Sequence, residues 1–194
     1  MKDNIVILHE QPKEIDLSYF DNYGGHNYSE SYRGYTVSPE QLIGLFVDCE
    51  IEFETLLDAG CASGELVRDF RRLGVKAYGI EKNQDILKKS VIPQFCTEMD
   101  LLDMSGIKNE TFDIIYVNSL MYIYPHLVEG ILKEFHRICN KAVYLCNPYL
   151  EEDYSNTFHD PSRVFLATKT WWTKQFQEAN FEKSAENIYT KLHR

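Results

Sequence analysis

The sequence has no long apolar run, no excess of positive charge and no cysteine pairs at metal-binding spacing. Its N-terminal apolar run covers only residues 5–8, which is too short for a membrane span or for the core of a signal peptide. The 30 acidic and 20 basic residues give a formal net charge of -10, and this charge disfavours binding to a nucleic-acid backbone. We therefore expect a soluble, cytoplasmic protein that binds neither membranes nor nucleic acids.

The cysteines are spread along the chain and predict no metal site. No two of them form a C-x-x-C pair, and none lies near two histidines at ligand spacing. Because free cysteine is among the most buried residue types, buried and reduced thiols are the expected state. The five residues are Cys49, Cys61, Cys96, Cys139 and Cys146.

Alternating strand and helix patterns from residue 55 onward predict an α/β fold. Five apolar segments are typical of strands, and amphipathic segments lie between them: the strands are "TLLDA", "KAYGIE", "QFCTEMD", "FDIIYVNSL" and "KAVYLCN". Strands separated by helices form a right-handed, doubly wound, mostly parallel sheet with helices on both faces. The C-terminal segment "FEKSAENIYTKLH" predicts one late strand or two short ones, so we expect six strands or a short seventh.

The chain is predicted to form a single domain over residues 1–194, because its 194 residues include no linker-like stretch. Residues 1–38 differ in composition, since they are rich in Tyr, Gly, Asn and Ser. We interpret this segment as a lid or cap, with Tyr23 and Tyr28 covering a ligand. Packing of the same rings against a sheet edge is the alternative.

Two local patterns predict how helices outside the central sheet are held. Ser38 precedes Pro39, which is the order expected of an N-cap and a first helical residue. Trp171 and Trp172 lie in the last helical segment, and we expect them to anchor that helix, with one ring buried and the other partly exposed.

Acidic residues occur at the ends of three successive predicted strands. Asp58 precedes the glycine turn of "LLDAGCASGEL", Glu81 ends the second strand, and Asp100 follows the third. In doubly wound sheets a ligand lies beyond the carboxyl ends of the strands, where the strand order reverses. Glu81 lies 21 residues after Gly60, a spacing typical of an acid that binds both ribose hydroxyls.

The charge of the turn indicates which kind of nucleotide could bind there. A G-x-G-x-x-G pattern that starts at Gly60 would place Ala62 and Glu65 at its other two glycine positions, and Asp58 would repel a pyrophosphate. A dinucleotide such as NAD is therefore disfavoured. A ligand with a ribose, an adenine and a cationic amino-acid tail fits better, with its ammonium on Asp58, its ribose on Glu81 and its adenine amino group on Asp100.

With these motifs the chain resembles the class I S-adenosylmethionine-dependent methyltransferases. "LLDAGCASG", "YGIEKN", "EMDLLDM" and "FDIIYVNSLMYI" are similar to four successive family motifs, over residues 55–147. The resemblance implies a Rossmann-like fold with S-adenosylmethionine as methyl donor and S-adenosylhomocysteine as product. Motif and charge together predict the cofactor-binding residues Asp58, Gly60, Cys61, Ala62, Ser63, Gly64, Glu81, Lys82, Asp100, Leu101 and Asn118, and the interpretation of residues 1–38 as a lid adds Tyr23 and Tyr28.

The sequence departs from many members of this family after the fourth strand. Met121 and Tyr122 stand where those members have a Glu-His pair, so no catalytic histidine carries over at that point. His126 and His159, with Asp160 beside the latter, are the candidate general bases. Exposed surface positions are the alternative for all three, and an acceptor that is already ionised needs no base.

The flanking segments "YFDNYGGHNY" and "HDPSRVFLATKTWWTKQF" are similar to parts of bacterial methyltransferases that modify glycans and small metabolites. The sequence therefore predicts methyl transfer to a small-molecule acceptor, most readily to an oxygen atom of a metabolite or a glycan precursor. A protein methyltransferase and a non-catalytic, partner-binding subunit are the alternatives.

Overall fold

The computed structural model describes residues 5–11, 37–146, 149–151 and 162–193, and a seven-stranded sheet lies at its centre. The strands are β1 (Ile5–Ile7), β2 (Thr55–Ala59), β3 (Lys76–Glu81), β4 (Cys96–Glu98), β5 (Phe112–Val117), β6 (Cys139–Leu145), β7 (Phe165–Ala167), β8 (Phe181–Ala185) and β9 (Ile188–Lys191). The sheet order is β4-β3-β2-β5-β6-β9-β8. Pairing is parallel from β4 to β6, and β9 is antiparallel to both of its neighbours. The predicted doubly wound fold is confirmed.

Helices cover both faces of this sheet. They are α1 (Pro39–Asp48), α2 (Glu65–Arg72), α3 (Gln84–Leu87), α4 (Pro125–Ile138) and α5 (Lys169–Glu178), with short 3-10 turns at Pro93–Phe95 and Leu120–Tyr122. One apolar core lies under α4 and α5, and a second lies under α1 and α2. In the described ranges, no helix is both long and apolar enough to span a membrane.

The C-terminal segment forms two short strands, β8 and β9, which is one of the two alternatives that the sequence predicts, and both strands pair in the main sheet. Asn187 adopts a φ of 66° in the turn between them, a conformation that asparagine tolerates better than most residues. The backbone N–H of Leu145 donates to the Asn187 carbonyl at 2.9 Å, which joins the turn to the end of β6. The sheet therefore has seven strands, the larger of the two predicted numbers.

A second, two-stranded sheet was not predicted. β1 pairs with β7 in antiparallel register, with Ile5 opposite Ala167. The apolar run of β1 is too short to distinguish from a loop by pattern alone, and its partner lies about 160 residues away along the chain, so only the folded chain brings the two together.

The predicted helix ends and anchors are confirmed. The Ser38 hydroxyl accepts a hydrogen bond from the Gln41 N–H, and the Gln41 side chain accepts one from the Ser38 N–H, which completes a capping box at α1. In α5 the Trp172 ring is buried and the Trp171 ring is half-buried. Both rings contact Phe165 of β7.

Candidate functional site

The strand order reverses between β2 and β5, and the candidate site lies at the carboxyl ends of these strands. From β2 the chain proceeds to β3 and β4 on one side, whereas β5 and β6 lie on the other. Asp58, Glu81, Asp100 and Asn118 all lie at or just after the ends of these strands. The topology therefore brings together the carboxylates that were predicted to share one ligand.

Backbone hydrogen bonds attach the glycine turn after β2 to β3. The N–H groups of Gly60 and Cys61 both donate to the Ile80 carbonyl, each at 2.9 Å. Gly60 has a φ of +86°, and a Cβ added there would have no neighbour within 4 Å. Ala62 also has a positive φ of 48°, which is uncommon for a residue with a side chain. The turn thus presents an open backbone surface at Gly60.

Glu81 accepts hydrogen bonds from the turn as well as from its own strand end. Its Oε2 accepts from the Ala62 N–H at 3.1 Å, and its Oε1 accepts from the Asn83 N–H at 2.9 Å. Burial raises the pKa of Glu81, although the bonds from Asn83, Ala62 and Lys82 act to lower it. Since each carboxylate oxygen has a second lone pair, Glu81 can hold the turn and still accept from two ribose hydroxyls.

Asp58 is the most deeply buried of the three acids predicted to bind the ligand. Its side chain is 4% exposed. Burial, followed by the neighbouring Cys96, Glu81 and Glu65, holds the pKa of Asp58 well above its usual range. Within the described ranges, no cation contributes to that shift. A buried carboxylate among other acids favours a positively charged ligand group, which would restore its ionised form.

Sequence reasoning missed Glu65, which it treated only as a departure from a glycine pattern. The Ser63 hydroxyl lies 2.7 Å from both carboxylate oxygens of Glu65, and both side chains are buried. Glu65 is the first residue of α2, where the helix dipole favours negative charge. Its position directly after the glycine turn was the available signal. Glu65 adds negative charge beside Asp58 and fixes the Ser63 side chain.

Asp100 forms an ion pair with Lys82 at 2.8 Å. Its Oδ1 also accepts from the Leu102 N–H at 3.0 Å. Burial raises the pKa of Asp100, but the bonds from Lys82 and Leu102 outweigh this effect and the pKa is lowered. Lys82 is exposed and Leu101 is half-buried against the core. These three residues lie together on the β3–β4 side of the site, where an adenine was predicted.

Two of the remaining predicted residues follow β5, and the others lie outside the described ranges. Asn118 is half-buried directly after β5, and His126 is exposed in the first turn of α4. The His126 ring centroid lies 5.8 Å from that of Tyr124. Tyr23, Tyr28 and His159 lie outside the described residues, as do Asp160 and most of the predicted cap, so their roles stay predictions.

No metal-binding group was found in the part of the chain that the structure describes. No cluster of three or more His, Cys, Asp or Glu residues there has the arrangement needed to hold an ion.

Comparisons with known proteins agree with this geometry. A family model described as a methyltransferase domain matches residues 57–146. A methyltransferase structure from Archaeoglobus fulgidus is 15% identical, covers 73% of this chain and 67% of its own, and superposes with a TM-score of 0.63. One from Methanosarcina mazei is 15% identical, with coverages of 76% and 98% and a TM-score of 0.61. A Haloferax volcanii complex of a methyltransferase with the Trm112 activator is 17% identical, with coverages of 68% and 62% and a TM-score of 0.56.

Comparison with curated proteins yields no significant match. The family match runs from within β2 to the residue after β6, and it therefore covers the turn, the three acid-bearing strands and the switch point. The surrounding fold is that of the structural neighbours. Residues 57–146 therefore match a methyltransferase domain, and the fold around them is similar to that of S-adenosylmethionine-dependent methyltransferases.

Proposed function

We propose that the site binds S-adenosylmethionine with its ammonium on Asp58, its ribose on Glu81 and its adenine beside Asp100 and Leu101, and that the acceptor is an oxygen atom of a small molecule. The observation that carries the cofactor pose is the buried Asp58 carboxylate, which has acidic neighbours and no cation among the residues described. An amino-acid ammonium at this point would offset the charge of Asp58.

The cofactor fits the remaining groups of the site in shape and charge. The open backbone at Gly60 lets the tail approach the turn closely, as a side chain at this position would not. The Glu81 oxygens have free lone pairs for the ribose diol. The acids together also favour a sulfonium cation and disfavour the negative charge of a pyrophosphate.

S-adenosylmethionine, when bound, supplies a methyl group that its positive sulfur has already activated. The protein's contribution is to orient donor and acceptor in line and to exclude water, which can supply about 7–11 kcal/mol when the geometry is ideal. Asp58 and Glu81, held by the two strand ends, would fix the donor at two points. Asn118, after β5, lies on the opposite side of the switch point from Glu81, where we place the floor of the acceptor side.

A small acceptor is supported by the charge of the chain. The net charge of -10 disfavours nucleic acids, and a hydroxyl or carboxylate oxygen needs at most one positioned base. His126 is the described candidate for that base and would add about 10²- to 10⁴-fold if it acts. The cytoplasmic location expected from the sequence is part of this proposal.

A label-transfer experiment tests the acceptor class. The protein is incubated with methyl-labelled S-adenosylmethionine and with separated metabolite, protein and RNA fractions of a bacterial extract. We expect label in the metabolite fraction, on an oxygen atom by the magnetic resonance shift of the labelled carbon, and none with an Asp58→Ala variant. Label in the protein fraction alone would overturn the small-molecule proposal, whereas label on nitrogen would overturn only the oxygen assignment.

Dependence on a partner protein is the second candidate, and one structural neighbour favours it. That neighbour was solved as a methyltransferase in complex with an activator. If this chain needs such a partner, the isolated protein will bind S-adenosylhomocysteine weakly or transfer no label to any fraction. Transfer by the isolated chain would dismiss this candidate.

A further inference from the structure

Two cysteines meet beneath the proposed cofactor turn. Cys61 lies in the turn, and Cys96 is the first residue of β4 and the Cα partner of Gly79 in β3. The Cys61 Sγ lies 2.5 Å from the point where a Cβ on Gly79 would be. Cys61 therefore fills the space of the missing side chain next to Cys96. Parallel partners lie about 4.8 Å apart, so Cys61, which lies over Gly79, is a neighbour of Cys96 across the strand pair.

The Cys96 sulfur also packs against the start of α2. A Cβ added to Gly64 would lie 2.7 Å from the Cys96 Sγ, so this sulfur is packed against the end of the same turn. A hydrogen bond between the two cysteines raises the pKa of Cys61 and lowers that of Cys96, and the Ser90 side chain also acts to lower the latter. Cys96 is half-buried whereas Cys61 is buried, so Cys96 is the more accessible residue of the pair.

We propose that Cys61 and Cys96 form a reversible, peroxide-sensitive disulfide that weakens cofactor binding. In the first step the Cys96 thiolate attacks a peroxide oxygen: an S–O bond forms, the O–O bond breaks, and hydroxide leaves and takes up a proton. In the second step the Cys61 sulfur attacks the Cys96 sulfenic acid: an S–S bond forms, the S–O bond breaks, and the Cys61 proton leaves with the hydroxyl as water. The two thiols are oxidised and one peroxide is reduced.

The disulfide would act on the cofactor through the turn. Bond formation shortens the distance between the sulfurs to about 2.05 Å and draws Cys61 toward β4. Cys61 is joined directly to Ala62, whose N–H is bonded to Glu81, and to Gly60, which faces the proposed tail. The displacement therefore moves the backbone that receives the ligand. This effect rests on the proposed cofactor site, whereas formation of the disulfide does not.

Peroxide treatment of the whole chain tests both parts separately. We expect the number of free thiols to fall from five to three, peptide mapping under non-reducing conditions to recover a Cys61–Cys96 peptide, and a dithiol to reverse both. Titration with S-adenosylhomocysteine should show affinity about tenfold weaker in the oxidised protein, the size expected when a hydrogen bond to a charged group is misaligned. Reduced protein that does not bind S-adenosylhomocysteine would instead contradict the proposed function.

Two cysteine variants provide the controls. Cys96→Ser should keep its affinity after peroxide treatment, with Cys96→Ala as a second variant if the first unfolds at a lower temperature. Cys49→Ser, at the end of α1, should respond to peroxide as the unmodified chain does. The proposal is overturned if mapping finds only isolated sulfinic or sulfonic acids or a different cysteine pair, or if the cross-linked protein binds S-adenosylhomocysteine unchanged.

Discussion

A methyl group added at Gly64 tests how tightly the turn packs against β4. In a Gly64→Ala variant the new Cβ would lie 2.7 Å from the Cys96 Sγ, 3.2 Å from Cγ2 of Ile92 and 3.3 Å from the Ser90 hydroxyl. The residue also has a φ of +84°, a conformation that residues with a side chain rarely adopt. Gly74, with a φ of +89° and no atom within 4 Å of the added Cβ, is a control that carries the backbone cost alone.

The expected losses of stability differ between the two glycines. The left-handed conformation costs alanine about 1–2 kcal/mol, which is the whole effect at Gly74. At Gly64 the crowded Cβ adds about 1–3 kcal/mol of overpacking, so we expect a total loss of about 2–5 kcal/mol. For a chain of this length each kcal/mol lowers the Tm by about 2–4 °C.

Chemical denaturation of both variants measures this difference. We also expect Gly64→Ala and Cys96→Ala to be coupled by about 0.5–3 kcal/mol in a double-mutant cycle, because removing the sulfur makes room for the new methyl group. Equal losses at Gly64 and Gly74, or no coupling with Cys96, would refute the packing of the turn described above.

Three further predictions concern Asp58 and the N-terminal end of α1. Because the pKa of Asp58 is raised in the folded chain, the stability contributed by its bound proton is present at acidic pH and is lost as pH rises through the folded pKa. Asp58→Asn should therefore stabilise the unliganded protein at pH values above that pKa. Urea denaturation at several pH values measures this effect, and a variant that is less stable at every pH would contradict it. The affinity for S-adenosylhomocysteine should increase over the same rise in pH, because its ammonium needs an ionised Asp58. Asp58→Asn should abolish this dependence on pH and weaken binding by about 10- to 100-fold, the contribution of a hydrogen bond between charged groups. If calorimetry shows that the variant keeps the pH dependence, Asp58 is not its source. Ser38→Ala removes one half of the capping box and should cost about 1 kcal/mol, with an unchanged thermal midpoint as the contrary result.

The sequence predicts the acids of the site well because they depend on local patterns and on one topological rule. Asp58, Glu81 and Asp100 each follow an apolar run, and the carboxyl ends of parallel strands meet at the same edge. Their convergence on the glycine turn, with Glu81 bonded to Ala62, follows from that rule. The same reasoning predicts which residues approach the ligand but not which of them already bond to each other.

Contacts that depend on strand register could not be predicted. Cys61 and Cys96 meet only because Cys96 is paired with Gly79, and no pattern in the sequence sets that pairing. Glu65 was overlooked because its buried partner, Ser63, lies within the turn itself. The pairing of β1 with β7 was missed because it joins two strands of only three residues that lie far apart in the sequence.

Thermal unfolding with S-adenosylhomocysteine tests the proposed cofactor site most directly, with NAD as the control ligand and Asp58→Ala as the control variant. At a ligand concentration 100 times the dissociation constant, binding to the folded state alone raises the unfolding free energy by about 2.7 kcal/mol. We predict a rise in Tm with S-adenosylhomocysteine, no rise with NAD, and a much smaller rise in the variant. An equal rise in Asp58→Ala, or no rise in the unmodified chain, would contradict the placement of the cofactor at the β2–β5 switch point.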